Sequence, residues 1–299
     1  MPIVIKSPVV PFLMACVGIA LFSAMDAEMK GLSIAIGAYN AMFWRVLVGA
    51  ALGGLLFVVR RETWPTRAAM RLHMMRSLVA SVMAISFFWG IARVPLAEGI
   101  ALSFIAPLIT LYLAAVMLGE TVSRNAIIAS GLGIIGVGVI LAGRIGGEVY
   151  DAEVAKGIGA IFISALFYAY NLILQRQQAQ LATPPEIAFF QSLIVAVILG
   201  VASPFLAVMP GADQWPHIFY SAVLALFSLL LLSWAYARAE AQILVTVEYT
   251  AFIWAALFGW IFFREAVTLA TIIGTGLIIT GCIIATWQKQ VKPVEAATL

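Results

Sequence analysis

The feature of this sequence that most restricts its fold is a series of ten apolar stretches of about 20 residues each. A helix needs about 20 apolar residues to cross a hydrocarbon core of about 30 Å. Backbone polar groups must be satisfied within lipid, so a continuous helix is the default expectation for each stretch. The sequence therefore predicts an all-α membrane protein with ten transmembrane helices. The stretches are 9–27, 36–58, 74–92, 96–118, 125–143, 157–175, 186–208, 217–236, 241–263 and 267–287.

The composition excludes a soluble fold. Of the 299 residues, 64% are hydrophobic and only 10% are charged, whereas soluble domains carry about 45–50% apolar and about 25% charged residues. A soluble core of this length could not bury the surplus, so we expect it to face the lipid bilayer. The net charge of +3 is too small to favour nucleic acid as a partner.

Cysteine and histidine usage indicates neither a metal site nor a cofactor. Cys16 and Cys282 both lie within apolar stretches and form no CxxC pair. His73 and His217 stand alone in the sequence. We therefore expect no disulfide framework and no cofactor.

Lysine and arginine residues in the short loops predict the orientation in the membrane. With the N-terminus inside, the inner segments carry Lys6, Arg60, Arg61, Arg67, Arg71, Arg76, Arg124, Arg176, Arg238, Lys289 and Lys292. The outer segments carry only Lys30, Arg93, Arg144, Lys156 and Arg264, and Arg45 lies within a span. This excess predicts that both termini are cytoplasmic.

The chain partly matches itself when it is shifted by 145 residues. Residues 20–26 lie over 165–171, and glycines of the fifth stretch lie over glycines of the tenth. Loop-edge charges match as well, with Ala92-Arg93 over Ala237-Arg238 and Glu120 over Glu265. Each repeat contains five spans, an odd number, so the second repeat begins on the opposite side of the membrane. Inverted repeats of this kind are typical of secondary transporters.

The repeat divides the chain into four parts. Residues 1–145 form the first five-helix repeat, and 146–156 form a linker. Residues 157–288 form the second, inverted repeat, and 289–299 form a cytoplasmic tail.

Nearly the whole chain also resembles the EamA-type members of the drug/metabolite transporter superfamily, most recognisably in the late part of each half. In the first half the matching residues run from Ala92 through Pro107 to Leu118-Gly119-Glu120, followed by Gly131 and Gly136. In the second half they are Glu248-Tyr249-Thr250-Ala251, Trp254, Gly259-Trp260, Glu265, Gly276 and Gly281. Asp26 and Arg45 match polar positions of the family in the first two spans. One departure is that Phe252 stands where the repeat would place a second proline.

The resemblance implies export or exchange of small metabolites across a bacterial inner membrane. The most similar members are amino-acid and metabolite exporters, including the aromatic amino-acid exporter group.

Glu248 has the sharpest functional interpretation of any single residue. It lies about seven residues into the ninth stretch, roughly 10 Å deep at 1.5 Å per residue. A charged residue near a helix centre costs about 2.5–3.5 kcal/mol on insertion scales. It is therefore expected to contact a substrate amine, to carry a coupled proton, or to pair with another polar side chain. Its repeat mate is Ser103, which predicts an asymmetric site.

Two further charged residues are weaker site candidates. Arg45 is about as deep and could attract a substrate carboxylate, but pairing with Glu248 or Asp26, or snorkelling to the outer interface, is favoured. Glu98 lies only a few residues into the fourth stretch, where an interfacial role is favoured over a functional one.

Most of the aromatic side chains are expected to pack against lipid or to form interfacial belts. Tyr249 and Trp234 are the best candidates for a cavity wall, and Tyr168 and Phe252 are further candidates. Phe252 lies over Pro107 in the repeat, so this pair marks a second break in the symmetry. A site lined by aromatic and apolar groups suits small amphipathic solutes.

Other polar residues and glycines have structural interpretations. Repeat mates Asp26 and Asn171 are expected to hydrogen-bond between helices. Glu120 and Glu265 are expected to stabilise the N-termini of the fifth and tenth spans. Arg93 and Arg238 are expected to anchor span ends. The glycines of the second, fifth and tenth stretches allow close helix packing, within one chain or between two, and so leave monomer and dimer open.

The leading hypothesis is a secondary transporter that exports amino acids or related small metabolites by alternating access around a central cavity. Proton antiport and facilitated diffusion fit equally well. No GxxxxGKS or GxxxxGKT motif is present, so an ATP-driven pump would need a partner. Drugs and nucleotide sugars are rival substrates, and a channel or an intramembrane enzyme is a weaker alternative.

Overall fold

The computed structural model describes residues 9–118, 124–145, 152–236 and 247–286. All of the regular structure within these ranges is helical. The helices are α1 (Val9–Val59), α2 (Arg67–Ile91), α3 (Leu96–Ser103), α4 (Ala106–Leu118), α5 (Arg124–Ile145), α6 (Ala152–Gln178), α7 (Pro184–Leu206), α8 (Trp215–Tyr236), α9 (Ala251–Phe263) and α10 (Leu269–Thr286).

These helices correspond to the ten predicted spans and confirm the all-α membrane fold. Five of the described helices are each long and apolar enough to cross a membrane: Val10–Val59, Arg67–Ile91, Ala152–Gln175, Pro184–Leu206 and Trp215–Ala235. Shorter apolar helices cover Leu96–Thr110, Ile127–Gly143, Ala251–Phe263 and Leu269–Ile284. Helix α1 contains the first two spans, and α3 and α4 together form the fourth.

The first two spans meet at a glycine rather than in the predicted loop at 28–35. Helix α1 has 51 residues, and Gly37 breaks its helical geometry with φ 81° and ψ 150°. This conformation has a positive φ that glycine adopts readily because it lacks a Cβ atom. A straight helix of this length would be about 76 Å long, far more than one bilayer core of about 30 Å.

Contacts with the second half show that α1 doubles back at Gly37. Before the bend, Ser228 donates a hydrogen bond to the carbonyl of Gly18 at 2.8 Å, so this part of α1 packs on α8. After the bend, a Cβ atom at Gly53 would lie 3.0 Å from the Cα atom of Phe189 on α7. The prediction of a loop was wrong because the charged residues Glu28 and Lys30 contact His217 and Glu265 from within the helix.

The fourth span was predicted as one continuous helix, and the structure corrects this. Helix α3 ends at Ser103 and α4 begins at Ala106, with a turn at 104–105 between them. The amide of Ile105 donates to the carbonyl of Leu102 at 3.3 Å, a tighter i to i−3 bond. Irregular backbone within a membrane protein is tolerated where it is buried in protein or lines a cavity.

Helices α5 and α10 pack through glycines of the same chain. A Cβ atom added at Gly136 would lie 2.5 Å from the carbonyl oxygen of Gly274. The repeat mate of Gly136 is Gly281, where a Cβ atom would lie 2.6 Å from the carbonyl oxygen of Ala129. Ala129 is in turn the repeat mate of Gly274, so the two contacts are equivalent. Both contacts lie within one chain.

We expect Gly136→Ala to destabilise the protein by about 1–3 kcal/mol, because the added methyl group must push two backbones apart. Gly138→Ala on the same helix is the matched control, since a Cβ atom there meets nothing within 4 Å. The control should be neutral or slightly stabilising, because alanine favours the helix. The measurement is the apparent melting temperature of the purified protein in detergent. Equal melting temperatures for the two variants would contradict the packing.

Candidate transport site

The breaks in the fourth and ninth spans are equivalent at the repeat offset. The amide of Thr250 donates to the carbonyl of Val247 at 2.9 Å, as Ile105 does to Leu102. A turn at 249–250 precedes α9, as the turn at 104–105 precedes α4. Two further pairs of bonds match at 145 residues: Leu108 to Ile105 with Ile253 to Thr250, and Ile109 to Ile105 with Trp254 to Thr250.

Proline is not the common cause of these breaks. Pro107 lies in the first turn of α4, but its repeat mate Phe252 has an amide that donates to the carbonyl of Tyr249 at 3.3 Å. The turn forms with and without a proline, so the missing second proline does not remove the break. Discontinuous helices near the midplane commonly form the binding sites of transporters with inverted repeats.

The two breaks meet on the axis that relates the repeats. The ring of Phe104 packs edge-on against the ring of Tyr249, with centroids 5.5 Å apart. These residues are 145 positions apart, so each is the repeat mate of the other. Two mates that touch must lie at the pseudo-two-fold axis, because only there does a position approach its own symmetry equivalent.

Polar groups surround this contact. Cys282 on α10 donates through its thiol to the carbonyl of Phe104 at 3.5 Å, and it also hydrogen-bonds Tyr249. Tyr168 on α6 interacts electrostatically with Glu248, and so does Tyr249. The structure thus brings three predicted site residues, Glu248, Tyr249 and Tyr168, to one place.

Two ionisable residues of α1, the buried Asp26 and the half-buried Arg45, adjoin this cluster. Asp26 and Arg45 interact electrostatically across the bend at Gly37, and Asp26 also acts on Tyr168. The two residues lie eleven and eight positions from Gly37, about 16 and 12 Å along their helices. Nη2 of Arg45 contacts the Met42 sulfur at 3.0 Å. Its buried Nε has no hydrogen-bond partner among the described residues.

The remaining predicted site residues take different places. The Ser103 hydroxyl donates to the carbonyl of Gly99 at 2.9 Å, within its own helix. Phe252 packs against the main core, as the Tyr249 ring also does. Trp234 packs in a second apolar cluster, which joins the start of α1 and the end of α8 to Val247 and Ala251 on either side of the turn at 249–250.

Glu98 lies in a different region, nearer one face of the membrane. It is 2% exposed and lines a small cleft with Glu265, Gly259 and Thr271, which has room for about one water molecule. The structure therefore does not bring Glu98 to the cluster around Tyr249.

The membrane face that carries the α1 bend, here called the Gly37 face, holds an ion pair between the repeats, formed by a buried lysine and a half-buried carboxylate. Lys30 of α1 pairs with Glu265, and its ammonium also donates to the carbonyl of Val94 at 2.7 Å. The second oxygen of Glu265 accepts from the amide of Leu96 at 2.7 Å. The expectation that Glu265 stabilises the tenth span is wrong in detail, because this carboxylate binds the N-terminus of α3 instead. Its mate Glu120 lies outside the described residues.

Arg93, on the same face, has the predicted role of an anchor. Its Nε donates to Glu153 at 2.9 Å, and its guanidinium stacks over the Trp89 ring at 3.4 Å. Its repeat mate Arg238 lies outside the described residues.

The opposite face, here called the Thr183 face, is joined by a network between α2, α6 and α7. His73 on α2 contacts Glu186 on α7 through Nε2 at 2.9 Å, and Gln178 on α6 contacts its Nδ1 at 2.6 Å. Arg76 donates to Gln178 and, at 3.2 Å, to Asn171. All five residues of this network are buried. Asn171 thus has the interhelical hydrogen bond that the sequence predicted.

Sequence reasoning missed several residues of these clusters. Phe104 could have been predicted as a site residue from the sequence, because the repeat offset places it over Tyr249. Lys30 was counted only as a loop charge, and the histidines were treated as isolated. Their partners are far away in sequence, 235 residues for Lys30 and 113 for His73, so no local pattern could show them.

Comparison with known proteins supports the same organisation. The family described as "EamA-like transporter family" matches residues 10–142 and 155–287, two segments that are 145 residues apart. One solved crystal structure superposes with a TM-score of 0.61, at 19% sequence identity, over 94% of this chain and 97% of the other. That likeness concerns the fold.

Curated relatives cover most of the chain. A pseudopaline exporter, CntI, of Pseudomonas aeruginosa strain UCBPP-PA14 is 25% identical over 284 residues, which is 93% of this chain and 96% of the relative. An uncharacterised transporter of Helicobacter pylori strain 26695 is 28% identical over 215 residues, 70% of this chain and 72% of the relative. The family resemblance seen in the sequence is confirmed. The chain belongs to the EamA-like transporter family, and it is a multi-pass membrane transporter of small molecules rather than an enzyme.

Proposed function

We propose that this protein exports amino acids or related small metabolites across a bacterial inner membrane, with both termini in the cytoplasm. Transport proceeds by alternating access around the site at the pseudo-two-fold axis. The observation that carries this proposal is the contact of the two helix breaks at Phe104 and Tyr249, with charged groups of both signs nearby.

The chemistry around the axis supports a zwitterionic solute. Arg45 has a buried Nε without a hydrogen-bond partner among the described residues, so a substrate carboxylate would satisfy it. Glu248 supplies an anionic group for a substrate amine, and the ring of Tyr249 supplies an apolar wall. A phosphate-bearing substrate would favour several free cations. Of the two arginines that act on this cluster, Arg76 already donates to Asn171 and Gln178, whereas Arg45 has an Nε that is unsatisfied within the described part of the chain.

The two faces support alternating access because their polar contacts join the first repeat to the second. On the Gly37 face, Lys30 of the first repeat holds Glu265 of the second. On the Thr183 face, His73 holds Glu186. When a face opens, water can replace polar contacts of this kind. Separating the repeats there therefore costs less free energy than separating an apolar interface of the same size. The α5–α10 contact is different, because close glycine packing has no such substitute and is suited to a permanent interface.

Proton coupling is a part of the proposal that rests on Glu248, with Glu98 as the alternative. Glu248 is the stronger candidate, because Tyr168 and Tyr249 both interact with it at the axis. Glu98 instead lies in the cleft beside Glu265.

A different metabolite class is the second candidate substrate. The Pseudomonas relative is named for the export of pseudopaline, and it covers nearly the whole chain. Pseudopaline and the amino acids can be compared in the same assay.

The test is export from, and counterflow into, proteoliposomes that contain the purified protein. A panel of radiolabelled amino acids, including the aromatic ones, is compared with pseudopaline, with and without an imposed pH gradient. We expect saturable exchange of at least one amino acid. Exchange of pseudopaline alone would overturn the amino-acid assignment, and uptake that does not saturate would indicate a channel. Stimulation by the pH gradient that disappears in Glu248→Gln would support coupling through that carboxylate.

A further inference from the structure

We propose that a cleft at the start of α2 binds the phosphate headgroup of an anionic phospholipid from the leaflet on the Thr183 face. The cleft provides about 390 Å³ of space. This site is separate from the transport axis and goes beyond the proposed export function. Its lining residues are Trp64, Pro65, Arg67, Met70, Arg71 and Met74.

The charge of the cleft selects an anion. Two of its six lining residues are arginines, and none of the six is acidic. Arg67 and Arg71 are exposed and lie four positions apart on α2, so their guanidinium groups project from the same side of the helix. Guanidinium groups bind phosphate oxygens through two parallel hydrogen bonds, which gives both strength and geometry.

The polarity along α2 selects a lipid over a free anion. Continuing from Arg67 and Arg71 at helical spacing, the next residues on this side are Met74 and Leu78, which are 59% and 56% exposed. The stripe therefore changes from charged to apolar over about 16 Å. A phospholipid has the same order of groups, with its phosphate at the water interface and its acyl chains in the hydrocarbon region. Free phosphate would use only the first half of the stripe.

The remaining wall of the cleft is an aromatic residue held in place. Trp64 is 71% exposed, and its ring packs edge-on against Phe190 at 5.2 Å between centroids. Tryptophan favours the interfacial depth of a bilayer, where lipid headgroups lie. The start of α2 is also fixed, because the Thr66 hydroxyl accepts from the amide of Ala69 at 3.2 Å.

The charged neighbours leave the two arginines available to an external anion. Glu62 accepts a hydrogen bond from the Thr183 hydroxyl at 2.9 Å and is not part of the cleft wall. Arg76, further along α2, is buried and donates to Asn171 and Gln178. The arginines of α2 therefore divide into an internal one with protein partners and an external pair that lines the cleft.

Native mass spectrometry of the full-length protein in detergent tests this proposal. The probes are phosphatidylglycerol and phosphatidylcholine with identical acyl chains, added at matched concentrations. The test variant is Arg67→Gln/Arg71→Gln. The control is Arg124→Gln, because Arg124 is an exposed arginine at the start of α5 that does not line the cleft.

We expect the unmodified protein and the Arg124→Gln control to retain phosphatidylglycerol at least about 10-fold more tightly than phosphatidylcholine. The double variant should lose this preference while keeping the same melting temperature. Arg67→Lys/Arg71→Lys should retain part of it, since it keeps the charge but loses the paired geometry. Equal binding of the two lipids by the unmodified protein would overturn the proposal. So would an undiminished preference in the double variant, or full displacement of phosphatidylglycerol by inorganic phosphate.

Discussion

Lys30→Met is expected to destabilise the protein by about 3–5 kcal/mol, because it removes the buried partner of an ion pair that is largely shielded from water. The side chain of Lys30 is 3% exposed and that of Glu265 is 19% exposed, so water compensates little for the lost charge. Methionine keeps the length and apolar character of the lysine stem, which limits the change to the ammonium group. The measurements are the apparent melting temperature and the rate of substrate exchange in proteoliposomes.

The same face provides a control for this prediction. Glu28 contacts Nδ1 of His217 at 2.7 Å, but these side chains are 27% and 57% exposed. Exposed pairs contribute only about 0–1 kcal/mol, so Glu28→Gln should change little. The double variant Lys30→Met/Glu265→Gln should recover part of the stability, since neither charge is then left without its partner. If Lys30→Met and Glu28→Gln have equal effects, the ion pair does not join the repeats as described.

Loss of the ion pair is also expected to alter transport in a particular way. Lys30 and Glu265 belong to different repeats, and the pair holds the Gly37 face together. Without it, closure of that face becomes less favourable, so exchange should slow more than substrate binding weakens. A variant that exchanges substrate at the normal rate, but melts early, would assign the pair to stability alone.

Glu248→Gln is expected to reduce the exchange rate by roughly 10- to 150-fold. Hydrogen bonds to charged groups contribute about 1.5–3 kcal/mol, and glutamine removes the charge while keeping the shape. The control is Ser103→Ala, because Ser103 occupies the equivalent position of the first repeat and bonds only to Gly99 among the contacts described. That control should stay within about 2-fold of the unmodified protein.

Two further measurements separate a substrate role from a proton role for Glu248. If the carboxylate binds the substrate amine, Glu248→Gln should weaken binding of amino acids but not of analogues that lack the amine. If it carries a proton, binding should persist while the response to a pH gradient disappears. Normal exchange together with a normal pH response would remove Glu248 from the mechanism.

Several features followed from the sequence because their causes are local or repetitive. The apolar stretches could be counted because each must match the thickness of a bilayer. The offset of 145 residues was visible in loop-edge charges and glycines, and the same offset relates the turns at 104–105 and 249–250. Glu248, Tyr249 and Tyr168 could be predicted as site residues because polar groups within the membrane are costly to bury and are usually functional or paired.

The tertiary structure decided where the helices bend and which distant charges meet. Polar residues at 28–30 suggested a loop, but in the fold Glu28 meets His217 and Lys30 meets Glu265, so the helix continues to Gly37. The break at 104–105 could not be assigned from Pro107, since the equivalent break at 249–250 forms with Phe252 in place of a proline. The partners of Glu28 and Lys30 are more than a hundred residues away in sequence, and only the packing of the two repeats brings them within hydrogen-bonding distance. The sequence thus determined that two inverted halves cross the membrane, and the packing determined that their broken helices meet at Phe104 and Tyr249.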